Sequence, residues 1–147
     1  MATTSTGTDL ATRLRLGITR TARRLRQEAG SDLSPTLTAA LATVERHGPL
    51  TPSELAVRER VQRPTATKLV AKLEADGLVG RTADPMDGRS SLIAITPEGR
   101  ARLKQMRTRK DAFLAQRLRA LPAEDRATLE RAAELLERLL EEEDDRP

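Results

Sequence analysis

LTPSELAVRERVQRPTATKLVAKLEADGLVGRTADPMDGRSSLIAITPEG, residues 50–99, decides the fold. Thr51-Pro52-Ser53-Glu54 is a capping box, with a Thr cap, Pro at the first helical position and Glu three residues after the cap. The short helix it starts runs to about Glu59. A second helix runs from about Arg63 to Ala75 and stops at Asp76-Gly77, where Gly can take the left-handed cap conformation. Ala66, Leu69, Val70 and Leu73 recur at helical spacing and form its apolar face. Past Gly77 the pattern changes to Leu78-Val79-Gly80-Arg81-Thr82, a polar loop, and Leu92-Ile93-Ala94-Ile95. Two β-rich runs joined by Asp84–Ser90 predict a hairpin with a long tip. Two helices, a tight turn and a hairpin make a winged helix-turn-helix. That combination is far more specific than either half alone.

The outward face of the second helix carries Pro64, Lys68 and Ala71, flanked by Thr65, Thr67 and Lys72. It is small, hydroxylated and cationic, so it can enter a major groove without clashing, and its lysine can reach a phosphate or a guanine edge. Candidate DNA contacts are Ser53, Arg63, Pro64, Thr65, Thr67, Lys68 and Lys72, with Arg89 from the hairpin tip. A loop arginine ordinarily pairs with a nearby carboxylate, here Asp84 or Asp87. A projecting tip beside a narrow minor groove favours the other role, because that groove concentrates negative potential. Asp87 is then expected to orient the wing and Arg89 to reach the groove.

The runs QRPTATKLVAKLEADGLVGR (62–81), DPMDGRS (84–90) and LIAITPEG (92–99) resemble the MarR family of bacterial transcription regulators. Asp87-Gly88-Arg89, a strand and Thr96-Pro97-Glu98-Gly99 are the most specific part of the likeness. Gln62 stands where members often have a Ser or Thr cap, and Arg60 where they often have Gly. The resemblance implies a homodimer joined by its N- and C-terminal helices. It also implies repression, commonly of a neighbouring gene, and a small organic effector held between the dimer layer and the winged lobe. Such an effector works only by binding one lobe spacing better than another.

Composition agrees. The 147 residues suffice for one domain with its own core. Phe113 is the only aromatic residue, so the core must be aliphatic. The net charge of +4 is unevenly spread: residues 1–47 carry +3, residues 48–110 carry +6 and residues 111–147 carry −5. The basic excess sits on the winged segment, where an anionic partner would bind. There is no Cys and one His, which excludes disulfides, thiolate sites, cysteine redox sensing and a multi-histidine zinc site. His47 lies at a helix end, where an interaction with free carbonyls is its ordinary role. No catalytic set, cofactor motif or metal set is visible, and Asp84 with Asp87 lacks a base in reach. No apolar run reaches membrane-spanning length and no signal peptide is visible, so a soluble cytoplasmic protein is expected.

Outward from residues 50–99, residues 1–8 are expected to be flexible, and a helix should run from about Asp9 to Glu28. Its seam is narrow: Leu10, Leu14, Ile18, Thr21 and Leu25. Ser34-Pro35 opens a helix that ends at His47-Gly48-Pro49, with Leu37, Ala40, Leu41 and Val44 facing inward. Thr96-Pro97 opens a long helix to about Ala120, in which Lys110 interrupts an apolar side of Leu103, Met106, Phe113, Leu114, Leu118 and Leu121. The last helix, from near Pro122 to about Glu142, has a wide apolar face that includes Leu129, Leu135, Leu136, Leu139 and Leu140.

The expected architecture is therefore mainly α with a small β-hairpin. Residues 34–96 form the winged lobe, and residues 9–33 and 97–147 form dimerisation helices through Leu10, Leu14, Leu129, Leu136 and Leu139. Packing of the first helix on its own core is the alternative to a second subunit. An effector pocket is expected at Leu14, Ile18, Leu37 and Leu41, offering aliphatic contacts and an Arg for a carboxylate. The expected partner is double-stranded DNA carrying an imperfect inverted repeat, read by two recognition helices about one turn apart. The alternative is a winged-helix adaptor for protein contacts, which would expose a larger apolar patch over residues 64–72.

Overall fold

The computed structural model describes residues 3–144, with side chains placed for residues 6–141. The helices are α1 (Thr3–Ala29), α2 (Pro35–His47), α3 (Pro52–Glu59), α4 (Arg63–Ala75), α5 (Pro97–Arg119) and α6 (Ala123–Asp144). The strands β1 (Val79–Ala83) and β2 (Ser91–Ile95) lie between α4 and α5. They pair antiparallel, from Val79 opposite Ile95 to Ala83 opposite Ser91. This is the expected helical fold with one hairpin.

Side-chain caps start three of the helices. The Ser34 hydroxyl accepts from the Leu37 amide at 3.2 Å, and the Thr51 hydroxyl accepts from the Glu54 amide at 3.2 Å. Thr96 does more. Its hydroxyl accepts from the Gly99 amide at 3.1 Å and donates to the Gly77 carbonyl at 2.7 Å. One residue thus caps α5 and ties it to the end of α4. Gly99 is buried there, where an added Cβ would lie 2.7 Å from Ile95 Cγ1 and closer still to the Leu78 carbonyl oxygen.

Both helices of the helix-turn-helix end in the same way. At α4, Gly77 (φ 73°) donates to the Glu74 carbonyl at 3.0 Å, and Leu78 donates to the Leu73 carbonyl at 2.9 Å. At α3, Arg60 donates to Val57 at 3.2 Å, and Val61 donates to Ala56 at 3.0 Å. Each is a Schellman closure, which satisfies the last carbonyls through a left-handed residue. Leu78, expected to open the first strand, is the buried apolar residue that accompanies the α4 closure.

The core gathers Ala40, Leu41 and Val44 of α2, Leu55 of α3, Val70 and Leu73 of α4, and Leu78, Val79 and Ile93 of the hairpin region. Leu50 and Leu103 complete it. Leu50 also exchanges backbone hydrogen bonds with Ile93, at 3.0 and 2.7 Å, so the segment before α3 pairs with the free side of β2. Burial of each large aliphatic side chain contributes on the order of 1.5–3 kcal/mol.

Contacts divide the chain into two units, Met1–Lys110 and Asp111–Pro147, with α5 running through the division. The first unit takes in α1 and most of α5, so its limit differs from the expected 34–96 lobe. Specific contacts explain the difference. Arg109 Nη1 donates to the Ala29 carbonyl at 3.1 Å, Arg107 pairs with Glu45 at 2.8 Å, and Leu103 and Met106 are buried. The segment expected to be flexible overlaps α1. Residues 3–8 are the first turns of α1, and residues 1–2 lie outside the described ones. Extending an existing helix costs far less than nucleating one, and the Thr12 hydroxyl donates to the Thr8 carbonyl at 3.0 Å.

In the second unit, the Arg117 guanidinium lies 5.0 Å from the Phe113 ring centroid. Arg126 closes the turn before α6 by donating to the Leu121 carbonyl at 3.0 Å. Ala132 and Leu136 are half-buried, whereas Leu129, Leu135, Leu139 and Leu140 are exposed.

Candidate nucleic-acid interface

The surface of α4 is built by its core face. Ala66, Val70 and Leu73 are fully buried and Leu69 is half-buried. Helical periodicity then sends Arg63, Pro64, Thr65, Thr67, Lys68, Ala71 and Lys72 outward, and all seven are exposed. Their chemistry is not uniform. The Thr67 hydroxyl donates to the Arg63 carbonyl at 3.0 Å and keeps only acceptor capacity for a ligand. Lys72 Nζ lies 3.1 Å from Asp76 Oδ1, an exposed pair that holds it weakly at the far end of the helix. Among the described residues, the charged groups of Arg63 and Lys68 have no hydrogen-bond or ion-pair partner. Ser53 is half-buried in the first turn of α3.

The expected cap weakness at Gln62 is present: its side chain makes no cap hydrogen bond. Pro64 offsets part of this deficit, because it occupies an early position where a helical amide would go unsatisfied anyway.

The hairpin tip is organised by its two aspartates. Asp84 Oδ1 accepts from the Met86 amide at 2.9 Å, and Asp87 Oδ1 accepts from the Arg89 amide at 3.0 Å. Asp87 Oδ2 also accepts from the Ser90 hydroxyl at 3.4 Å. Both carboxylates therefore serve the loop backbone. The Arg89 guanidinium is exposed and has no ion-pair or hydrogen-bond partner among the described residues. The ordinary reading, an arginine neutralised by Asp84 or Asp87, does not describe this loop. At the base of the wing, Arg81 of β1 donates to Glu74 of α4 at 2.7 Å, a link between hairpin and helix that sequence reading missed.

Away from this face, a cavity of about 500 Å³ opens among the end of α1, α2 and α5. Its walls include Leu25, Leu33, Ala39, Leu103 and Met106, with Arg26, Arg107 and Lys110 among the lining residues. None of the four expected pocket residues lines it. Leu41 is 0% exposed in the core, Leu37 packs on that core, and Leu14 and Ile18 are exposed on α1. The reason is helical phase. The apolar side of α2 turns inward, so the cavity receives Thr38, Ala39 and Ala42 instead. Lys110, which breaks the apolar seam of α5, was the signal for it.

The expected dimerisation residues fall into two groups. Leu10, Leu14, Leu129 and Leu139 are exposed, and Leu136 is half-buried. His47 is exposed at the end of α2. Among the described residues no group of three or more His, Asp or Glu could hold a metal ion, and no helix is long and apolar enough to cross a membrane.

Comparisons with known proteins fit this geometry. Residues 33–91 match the model of the MarR family. An HTH-type transcriptional regulator of Mycobacterium leprae is 37% identical over 134 residues, covering 90% of this chain and 94% of that one. The multiple antibiotic resistance protein MarR of Salmonella typhimurium is 32% identical over 100 residues, covering 67% of this chain and 69% of that one. A crystal structure of a transcriptional regulator protein from Pseudomonas aeruginosa superposes with a TM-score of 0.84 at 34% identity, covering 92% of this chain and 96% of that one. These likenesses span the helices on both sides of the hairpin as well as the hairpin itself. They decide against both an enzyme and a protein-only adaptor: the chain belongs to the MarR family and is a DNA-binding transcription regulator.

Proposed function

We propose that this regulator is a homodimeric repressor of cytoplasmic DNA whose hold on an imperfect inverted repeat is released by a small organic effector. The observation that carries the DNA-reading half is the outer face of α4. Arg63, Thr65 and Lys68 stand exposed on it, and Arg63 and Lys68 have no partner among the described residues. Arg63, Thr65, Thr67 and Lys68 lie early in α4, the part of a recognition helix that approaches base edges. Ser53, Pro64 and Lys72 flank them, and Arg89 extends the contact to a minor groove.

Exposed apolar side chains support the dimer. Leu10 is 54%, Ile18 50% and Leu139 64% exposed, so both terminal helices offer unpaired apolar seams. A second copy would cover them. Residues 1–47 are net basic and residues 111–147 net acidic, which favours such an association. Two-fold symmetry would then present two copies of α4 to half-sites about 10 base pairs apart. Occupying such a site near a promoter excludes polymerase, which is the simplest route to repression.

The cavity beside α2 supports the effector. Its aliphatic walls and lack of aromatic rings suit an aliphatic chain, and Arg26 or Lys110 can bind a carboxylate. Selecting bound sequences from a random duplex pool tests the central reading. The enriched sequences should form an inverted repeat. Enrichment of single half-sites, or of nothing, would overturn it.

A further inference from the structure

We propose that Arg60, in the turn between α3 and α4, binds a phosphate of the DNA backbone beside the groove that α4 enters. The proposal rests on the DNA-binding reading and extends it to a residue on neither the recognition helix nor the wing.

The first observation is conformational. Arg60 has φ 53° and ψ 43°, and it is the only non-glycine residue with positive φ among the described ones. An L-side chain is strained in this region, because its Cβ approaches the neighbouring backbone, while glycine is not. The Schellman closure of α3 needs only the backbone at this position: the Arg60 amide bonds to Val57, and the Val61 amide bonds to Ala56. Glycine would supply that backbone with less strain, as Gly77 does at the end of α4. The fold therefore gives no reason for a side chain here.

The second observation is electrostatic and independent of the first. The Arg60 side chain is exposed and has no ion-pair or hydrogen-bond partner among the described residues. The adjacent Glu59 turns toward α2 instead, where it accepts a hydrogen bond from the Thr43 hydroxyl. Arg58 and Arg63 are also exposed and without partners among the described residues. Three guanidinium groups thus sit within six residues of chain, none of them in an ion pair among the described residues.

The third step is geometric. In a helix-turn-helix the first helix crosses the sugar–phosphate backbone while the second enters the groove. The turn joining them lies where backbone and groove meet. A guanidinium there can engage a phosphate with two parallel hydrogen bonds, and the strained turn holds the stem in place.

Because a phosphate contact ignores sequence, the test needs no operator. A fluorescent duplex of random sequence is titrated with wild type, Arg60→Gly, Arg60→Asn and Arg60→Lys from about 50 to about 200 mM salt. Arg60→Gly and Arg60→Asn should bind roughly five- to tenfold more weakly, with the salt slope lowered by about one for each Arg60 bound. Arg60→Lys should keep the slope and part of the affinity. Arg60→Gly should melt at or above the wild-type temperature, since it relieves strain. Opposite signs for stability and binding separate this role from a structural one. Unaltered affinity and slope in Arg60→Gly would overturn the proposal, and so would a melting temperature several degrees lower. Wild-type protein that binds no duplex would overturn the DNA-binding reading as well.

Discussion

Gly99→Ala should destabilise the protein at one identifiable contact. Gly99 is the third residue of α5, buried where that helix starts against the end of α4 and the hairpin. A Cβ there would stand 2.7 Å from Ile95 Cγ1 and nearer still to the Leu78 carbonyl oxygen. Ile95 can swing aside. The Leu78 carbonyl cannot move freely, because it accepts from the Thr96 amide at 3.0 Å. Overpacking of this kind costs about 1–3 kcal/mol, and a backbone obstacle places it at the upper end. Straining the Thr96–Leu78 hydrogen bond adds about 1 kcal/mol. Alanine's better helix propensity returns about 1 kcal/mol. The net loss is about 3 kcal/mol, or a fall in melting temperature of roughly 6–12 °C. Urea titration followed by helix signal measures it. Gly17→Ala is the control: Gly17 lies within α1 with nothing of its own chain within 4 Å of an added Cβ, so within one chain only the propensity gain applies. If Gly99→Ala is as stable as wild type while Gly17→Ala gains as expected, the close-approach argument fails.

Other consequences are tested through binding and assembly. Arg89→Ala should weaken operator binding by about 1–3 kcal/mol with little change in melting temperature, and Arg89→Lys should restore only part, as anisotropy titration would show. Lys68→Ala should weaken binding and lower the salt slope by about one for each α4 bound; an unaltered slope would remove Lys68 from the interface. Leu139→Asp should leave helix content intact, since the side chain is 64% exposed, yet shift sedimentation from dimer to monomer. A stable wild-type monomer at micromolar concentration would refute the dimer proposal directly.

What sequence could reveal divides along local against non-local physics. Ser34, Thr51 and Thr96, each followed by Pro, declared three helix starts because a cap acts on amides two or three residues away. Gly77 declared the end of α4 for the same reason. The tip aspartates were legible as turn formers and Asp87 as the residue that orients the wing, though the hydrogen bond from the Met86 amide to Asp84 was not. The Leu50–Ile93 pairing was invisible: its partners lie far apart in sequence, and one residue between Pro49 and Thr51 has no period to read. Residues 3–8 carry little helical signal of their own, a Thr-rich run whose place in α1 depends on the helix it extends.

The lining of the cavity beside α2 and the Arg60 turn share one cause. An apolar residue on an amphipathic helix is counted once, and the core has the first claim on it. Leu41 could not both fill the core and line a ligand cavity. The residues left to face the cavity are those a hydrophobic pattern passes over: Thr38, Ala39, Ala42 and the seam-breaking Lys110. Arg60 is the same case in backbone terms. Propensity assigns a left-handed turn to glycine, so an arginine there reads as a loss of fit, and only the observed φ shows that the turn forms regardless. In this chain, then, the residues that break a local rule are the ones to examine for ligands. Gln62 tests the generalisation, since it leaves the start of α4 without a side-chain cap in the middle of the proposed interface. If the rule holds, Gln62→Ser should stabilise the fold by about 1 kcal/mol and gain nothing in DNA affinity, because its cap would compete with phosphate for the same amides.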